Sequence, residues 1–492
     1  YRFGNSNFSG CEGSPGEPVR FMLGMFILKH TYGLSDEQVW DRWVHDPYFQ
    51  YFTGEEFFQH ELPHERSGMS HWRNRIGETL DIPTPGSPSG LRLSAELSGN
   101  DYLDLGGHSA ITEAKVAVMQ GGGDDVYMSA AFLTDGTMQR AVERKMAAFL
   151  GTEDAVLCQS GWCANLGLMQ AISDQETQVY VDAGVHAAIW DGARSAGAQI
   201  RPFRHNRPES LERKIRNHGV GIVVVSAVYG VDGTICPLAQ IADIAERHGC
   251  EIVVDETHSI GVYGRQGQGL VSDLGLQDKI TYRTFSLSKA MVTRAGMVTG
   301  PARIMDFFRF ESRPAIFSSA VLPHEVAGLG AALNVIQEED WRRERLRHNT
   351  SLLRIRLADL GFDVAVSGSQ IIALVAGVED VAIAFRDALE RHHIFGTLIS
   401  APATTRNGAL VRLSVNSGLV EEDLRRIAWA CTCVRDEIPI SRWPLTLRRG
   451  VPAIVGRDAA DLPIVPDDET ETDAVTEAAT ATPPSEEKRR AS

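Results

Sequence analysis

EIVVDETHSIGVYGRQGQGLVSDLGLQDKITYRTFSLSKA, residues 251–290, carries the pattern that decides the fold. Two short apolar runs, EIVVDE (251–256) and KITYRTF (279–285), are rich in β-branched and aromatic residues and too short for helices. Working outward, similar runs recur at AVLCQ (155–159), QVYVD (178–182) and GIVVVSAVY (221–229). Amphipathic helical patterns alternate with them. One has Met138, Val142, Met146 and Phe149 at helical spacing, with Gly151 as a stop. Strand–helix alternation predicts an α/β fold with a mostly parallel central sheet covered by helices on both faces. Residues 331–440 predict a smaller C-terminal α/β domain. It has a helix carrying Leu346, Leu353, Leu357 and Leu360, and strands at QIIALVA (370–376) and ALVRLSV (409–415).

Open α/β sheets bind ligands beyond the carboxyl ends of their strands. Beyond EIVV come Asp255, Glu256, Thr257 and His258, and beyond KITYRTF comes Ser286-Leu287-Ser288-Lys289. Beyond AVLCQ come Ser160, Gly161 and Trp162, and beyond QVYVD come Gly184, Val185 and His186. Singly, each is ordinary: an Asp or His ending a strand is usually a cap, and a lysine after Ser-Leu-Ser is usually solvated. Together they supply what pyridoxal phosphate (PLP) chemistry needs. A lysine forms a Schiff base with the cofactor aldehyde. A carboxylate keeps the pyridine nitrogen protonated, one His bonds the phenolic oxygen, and another packs on the ring face. Amides at a helix start hold the phosphate.

In order and spacing these residues resemble the fold-type-I PLP enzymes, and within them the α-oxoamine synthase family. The motifs are Asn100-Asp101-Tyr102-Leu103, SGWCAN (160–165), VDETHS (254–259), SLSKA (286–290) and LVRLS (410–414). VYMSAAFL (126–133), CQSGWCANLGLMQ (158–170), PAIFSSAVLPHE (314–325), SQIIAL (369–374) and FGTLISAPAT (395–404) are similar to the branch of quorum-sensing autoinducer synthases that make α-hydroxyketone signals. The likeness covers about 98–435. It implies that Lys289 is the Schiff-base lysine and proton shuttle, and that Asp255 pairs with the pyridine nitrogen. It implies that His258 contacts the phenolic oxygen, that His186 stacks on the ring, and that Gly161, Trp162 and Ser286 hold the phosphate. Ser318 and Ser319 would reach the phosphate of a neighbouring subunit in a homodimer with shared active sites. Arg412 would clamp the amino-acid carboxylate, and Asn100 would also contact substrate. The implied reaction is a decarboxylating condensation of an amino acid or S-adenosylmethionine with a medium- or long-chain acyl-CoA. Its product is an α-amino ketone, a precursor of an α-hydroxyketone signal. The rival expectations are another fold-type-I PLP enzyme, an aminotransferase or aldolase, or an inactive fusion with residual DNA binding.

The sequence departs from that family at Gly230, where VYGVDG replaces a more usual serine, at Ser226-Ala227, and at Cys163. The family's segment ahead of Asn100 is also replaced. Residues 1–82 hold 15 of the chain's 37 Phe, Trp and Tyr, so they form a segment of their own. Within them, 16–78 resembles the helical N-terminal domain of insertion-sequence transposases, whose nuclease-like catalytic domain is not seen here. This piece is read as a fusion remnant. Phe49, Phe52, Phe57 and Phe58 are read as helix core, and His60, His64 and His71 as no metal site. Residues 83–97, including DIPTPGSPSG (81–90) in part, read as a linker, 98–330 as the PLP-binding large domain, and 441–492 as an acidic, largely disordered tail.

The chain of 492 residues has a formal charge of −16, and its last 42 residues carry −6 of it. An acidic chain is a poor partner for nucleic acid or anionic membrane. Seven cysteines without C-x-x-C spacing fit free thiols in a reducing, cytoplasmic setting and give no metal site. No apolar run reaches the ~18 residues of a membrane span, and no signal pattern opens the chain. The chain begins at Tyr1, so its true start is expected upstream.

Overall fold

The structure is a computed structural model. It describes residues 36–53, 94–121, 129–133 and 135–438, with positions 21, 25, 28, 29 and 34. Phe57, Phe58, His60, His64, His71, the 83–93 part of the linker and the tail from 441 lie outside the described residues. The chain divides into two compact units, Tyr1–Ser94 and Ala95–Ser492.

In the first unit, helices α1 (Asp36–His45) and α2 (Pro47–Thr53) are separated by Asp46, whose carboxylate accepts the Tyr48 amide at 3.0 Å. Asp followed by Pro is a helix-start signal because the carboxylate satisfies an orphan N–H and proline lacks one. Phe21, Met25, Leu28, Val39, Trp40, Trp43 and Phe49 form one buried cluster. Phe49 is therefore core.

The second unit is built on a seven-stranded sheet ordered β2-β8-β7-β6-β5-β3-β4. Its strands are β2 (Asp154–Cys158), β3 (Gln178–Asp182), β4 (Gln199–Phe203), β5 (Ile222–Ser226), β6 (Glu251–Asp255), β7 (Tyr282–Ser286) and β8 (Gly296–Gly300). Of these strands β8 alone runs opposite to the other six. On β2, Ala155 and Leu157 join one buried cluster while Val156 and Cys158 join another, so both faces of the sheet are covered. Helix α3 (Ser109–Gln120) packs on α8 (Pro323–Glu338), and α4 (Met138–Leu150) ends at Gly151 in the left-handed conformation, as the stop signal predicts. Helix α5 (Gly161–Ile172) follows β2 and α6 (Ala187–Ser195) follows β3. Helix α7 (Leu238–His248) precedes β6.

The smaller lobe has an antiparallel sheet β11-β12-β9: β9 (Ile371–Gly377), β11 (Thr397–Ile399) and β12 (Ala409–Ser414). Helix α10 (Glu379–Arg391) packs on β9 and β12. Helix α9 (Trp341–Asp359) carries the leucine pattern and packs on α11 (Glu421–Glu437).

Three details differ from the sequence reading. Within the stretch read as linker, Ala95–Glu96 form β1, paired in parallel with β10 (Ile394–Phe395). The 330/331 boundary falls inside α8, which continues to Glu338. KITYRTF yields a strand only from Tyr282, because Gln277–Lys279 take a 3₁₀ turn.

Candidate active site

Strands β2, β3, β5, β6 and β7 run in the same direction, so the residues that follow them gather along one sheet edge. After β2, Ser160 caps α5 by accepting the Cys163 amide at 3.2 Å. Gly161 and Trp162 open the helix, where unsatisfied N–H groups and the helix dipole favour an anion. A Cβ on Gly161 would lie 2.4 Å from Ser286 Cβ, so glycine is required for helix and strand to meet. The Ser286 hydroxyl pairs with that of Ser288 at 2.9 Å. These groups form a small polar cradle with the donor chemistry of a phosphate site. Gly161→Ala should weaken cofactor binding about tenfold or more, because forcing a methyl into a filled space costs about 1–3 kcal/mol. Equilibrium dialysis of the cofactor checks this.

Asp255, at the end of β6, is buried. Its Oδ1 accepts the Thr257 amide at 2.9 Å and its Oδ2 accepts Asn165 Nδ2 at 3.0 Å. Thr284 in turn donates to Asn165 Oδ1 at 2.6 Å, which fixes the amide's orientation. An ionised carboxylate has about four lone-pair sites, so Asp255 retains capacity for a further N–H donor.

Lys289 is half-buried. Burial, then the charge of Arg412, pull its ammonium below the usual lysine range, and Asp255 partly opposes them. His258 is pushed down to about 3 by burial, then by the charges of Lys289, Arg412 and His186. It is a neutral imidazole. The same couplings bring Lys289, His258, Arg412, His186 and Asp255 into one electrostatic neighbourhood. Tyr102 places its hydroxyl 2.7 Å from His258 Nδ1 and 3.1 Å from Asn100 Oδ1, and Gln370 Nε2 donates to the His258 carbonyl at 2.9 Å. Gly230 is explained here: a Cβ at that position would sit 2.4 Å from His258 Nε2, so a serine would displace the histidine.

His186 caps α6, with Nδ1 accepting the Ala188 amide at 3.2 Å. It stands edge-on to Trp162 with centroids 5.8 Å apart, and both side chains are exposed. Arg412 on β12 donates from Nη1 to the Gly230 carbonyl at 2.7 Å. Its Nε is buried and has no hydrogen-bond partner among the described residues. A buried guanidinium N–H without an acceptor is costly, and an incoming carboxylate would satisfy it. Ser318 turns its hydroxyl onto the Pro314 carbonyl, and Ser319 lies against Gln159 through its own carbonyl. Both are exposed. Among the described residues no His, Cys, Asp and Glu group could hold a metal ion, and no helix is long and apolar enough to cross a membrane.

Sequence reasoning missed Tyr102, Asn165, Thr284 and Gln370. Asn165 lies one helical turn beyond Gly161, and Tyr102 lies two residues beyond Asn100. Only the fold shows that both turn toward the residues after β6.

A family model for class I and II aminotransferases matches residues 95–430, and one for a transposase domain matches residues 5–75. The chain is 40% identical over 335 residues to the CAI-1 autoinducer synthase of Vibrio campbellii, covering 68% of this chain and 85% of that protein. It is 30% identical over 351 residues to the 8-amino-7-oxononanoate synthase of Symbiobacterium thermophilum, covering 70% and 90%. Among solved structures, serine palmitoyltransferase of Sphingomonas wittichii superposes with a TM-score of 0.67 at 23% identity, covering 77% of this chain and 99% of that one.

Proposed function

The chain belongs to the class I and II aminotransferase family, with α-oxoamine synthases as its relatives, and from that membership we propose a specific condensation for it. Its cofactor is pyridoxal 5′-phosphate, and it is a PLP-dependent acyltransferase of the α-oxoamine synthase type. The proposed substrates are an amino acid or S-adenosylmethionine and a medium- or long-chain acyl-CoA. The products are an α-amino ketone, carbon dioxide and free CoA. By likeness to the CAI-1 autoinducer synthase, the ketone is the precursor of an α-hydroxyketone signal. The observation that carries this reading is the buried Arg412 Nε, which has no acceptor among the described residues and lies in the same charge neighbourhood as Lys289.

When bound, PLP supplies an aldehyde for an amine and a ring that withdraws electrons from the donor's Cα. The chain's residues supply the rest. Gly161, Trp162 and Ser286 would hold the phosphate. Asp255, kept in place by Asn165 and Thr257, would keep the ring nitrogen protonated. Neutral His258, fixed by Tyr102, would bond the phenolic oxygen, and His186 would lie on the ring face. Lys289 has a lowered pKa, so more of its amine is free to take the Cα proton near neutral pH. Arg412 would orient the donor carboxylate, and Asn100 would also contact substrate. In a homodimer the exposed Ser318 and Ser319 would be offered to the partner's phosphate.

The test is direct. Incubation with amino donor and a panel of acyl-CoAs should release thiol and give an amino ketone detectable by mass spectrometry. Amino-group transfer to a keto acid with no thiol released would overturn the reading. Arg412→Ala should raise the amino-donor KM about tenfold or more, because a charge-assisted pair worth about 1.5–3 kcal/mol is lost. The acyl-CoA KM should move little. An unchanged amino-donor KM would assign the carboxylate to another cation.

A further inference from the structure

A second ionisable cluster lies beside the site, and the chemistry above uses none of it. His205, just beyond β4, places Nδ1 2.8 Å from Asp182 Oδ1 and Nε2 2.9 Å from Thr234 Oγ1. Asp182, at the end of β3, is buried. The Thr234 hydroxyl donates to Asp232 Oδ1 at 2.8 Å. The Tyr229 ring stands edge-on to His205 with centroids 4.3 Å apart.

Hydrogen-bond accounting settles where the protons are. A carboxylate only accepts, so Nδ1 carries a hydrogen toward Asp182. Thr234 has one hydroxyl proton, and it goes to Asp232. Its oxygen can then only accept from His205, so Nε2 carries a hydrogen as well. An imidazole with two N–H groups is an imidazolium. Both carboxylates facing the ring fit this. Asp182 and Asp232 favour the cation, with Asp232 Oδ2 at 4.0 Å from Nε2, and Arg207 opposes it. The Tyr229 phenol and the Cys236 thiol beside Asp182 are both held above their usual ranges, so they are neutral. Burial pulls the His205 pKa down. The Asp182 hydrogen bond and charge, then Asp232, outweigh burial and leave it raised.

The ring connects two parts of the site. On one side, Asp182 also accepts the Gly184 amide at 2.8 Å and the Asn206 amide at 2.9 Å. A Cβ on Gly184 would lie 2.7 Å from His205 Nδ1, so the turn leading to His186 rests on the ring. On the other side, Thr234 closes a hairpin with Tyr229, and Gly230 within it receives Arg412. The smaller lobe grips the same hairpin: Ser367 donates to the Asp232 carbonyl at 2.6 Å and Ser369 to the Gly233 carbonyl at 2.9 Å.

We propose that His205 is a half-buried imidazolium that acts as a positioning residue, tying the His186 turn to the hairpin that seats Arg412. This rests on the reading of Arg412 as the carboxylate anchor. The sign follows from the raised pKa. The cation's contribution is complete below the ordinary histidine value and is lost as pH rises through the folded value. Amino-donor affinity should weaken over that same rise.

Two measurements test this on the full chain with bound cofactor. In nitrogen-15 NMR near neutral pH, both His205 ring nitrogens should carry hydrogens, the signals being identified by their loss in His205→Gln or their shift in Thr234→Val. A single protonated nitrogen overturns the proposal. In kinetics, Thr234→Val should raise the amino-donor KM about tenfold, as expected for loss of one hydrogen bond to a charged group, and leave the acyl-CoA KM unchanged. It should also shift the alkaline limb of the amino-donor kcat/KM profile to lower pH. An unmoved KM and limb overturn the proposal. If no condensation occurs, amino-donor binding is read from the cofactor's absorption. A doubly protonated His205 with pH-dependent donor binding then upholds this proposal while the condensation reading fails.

Discussion

Lys289→Ala protein should fold with an unchanged melting temperature and fail to turn over. The lysine is half-buried and makes no ion pair among the described residues, so removing it relieves a desolvated charge beside Arg412 and leaves no buried partner unpaired. Stability should therefore hold or rise slightly. The chemistry has no replacement: a positioned acid–base group is worth about 10²–10⁴ in rate, and covalent capture of the cofactor is lost with it. Turnover should drop by at least that factor, and visible absorbance of the lysine-linked cofactor should disappear while PLP is still retained by the cradle. Retained turnover would remove Lys289 from the role assigned to it.

The largest stability effect is expected one residue beyond Asp255. Glu256 is fully buried; its Oε1 accepts the Ser259 hydroxyl at 2.8 Å and the Val271 amide at 3.0 Å, and its Oε2 accepts Arg283 Nε at 2.5 Å. Arg283, also buried, turns a second nitrogen to Glu256 and donates to the carbonyls of Leu150 at 3.0 Å and Gln268 at 2.5 Å and to Ser272 Oγ at 3.5 Å. Glu256→Ala strands that guanidinium without a counter-charge, at a cost of about 3–5 kcal/mol. Thermal unfolding should show a large fall in midpoint. Replacing both partners by Met should cost less than the single change, because no charge is then left unpaired. A single variant as stable as wild type would show that water reaches Arg283.

The strands after which chemistry appears were legible because each is a short run rich in apolar or β-branched residues, closed by a polar residue. Parallel strands buried on both faces leave that signature. β8 was not legible: GMVTG is short and bounded by glycines, so nothing in its composition separates it from a turn. β1 was hidden for a related reason. Two residues beside a proline-rich stretch acquire strand geometry only by pairing with β10, nearly three hundred positions later. At the site, residues at strand ends could be read from order alone. Tyr102, Asn165 and Gln370 could not, because their roles come from the side chain each meets across the fold. In the sequence Gly230 stands only as a departure from a more usual serine. In the structure it is the space that His258 occupies.

The pairing of β2 with β8 has a consequence for how the protein matures. Cys158 lies opposite Gly296, and β7 reaches β2 only through β8, so the cradle at Gly161 and Ser286 exists only after the sheet's most distant partners in sequence have closed. Contacts of such separation are slow to form because chain entropy is lost before they are rewarded. A nascent chain released before β8 would have Gly161 and no Ser286 held against it. Capture of the vitamin-derived cofactor is therefore expected late in biogenesis, and holoenzyme yield should rise and fall with the fraction of completed sheets.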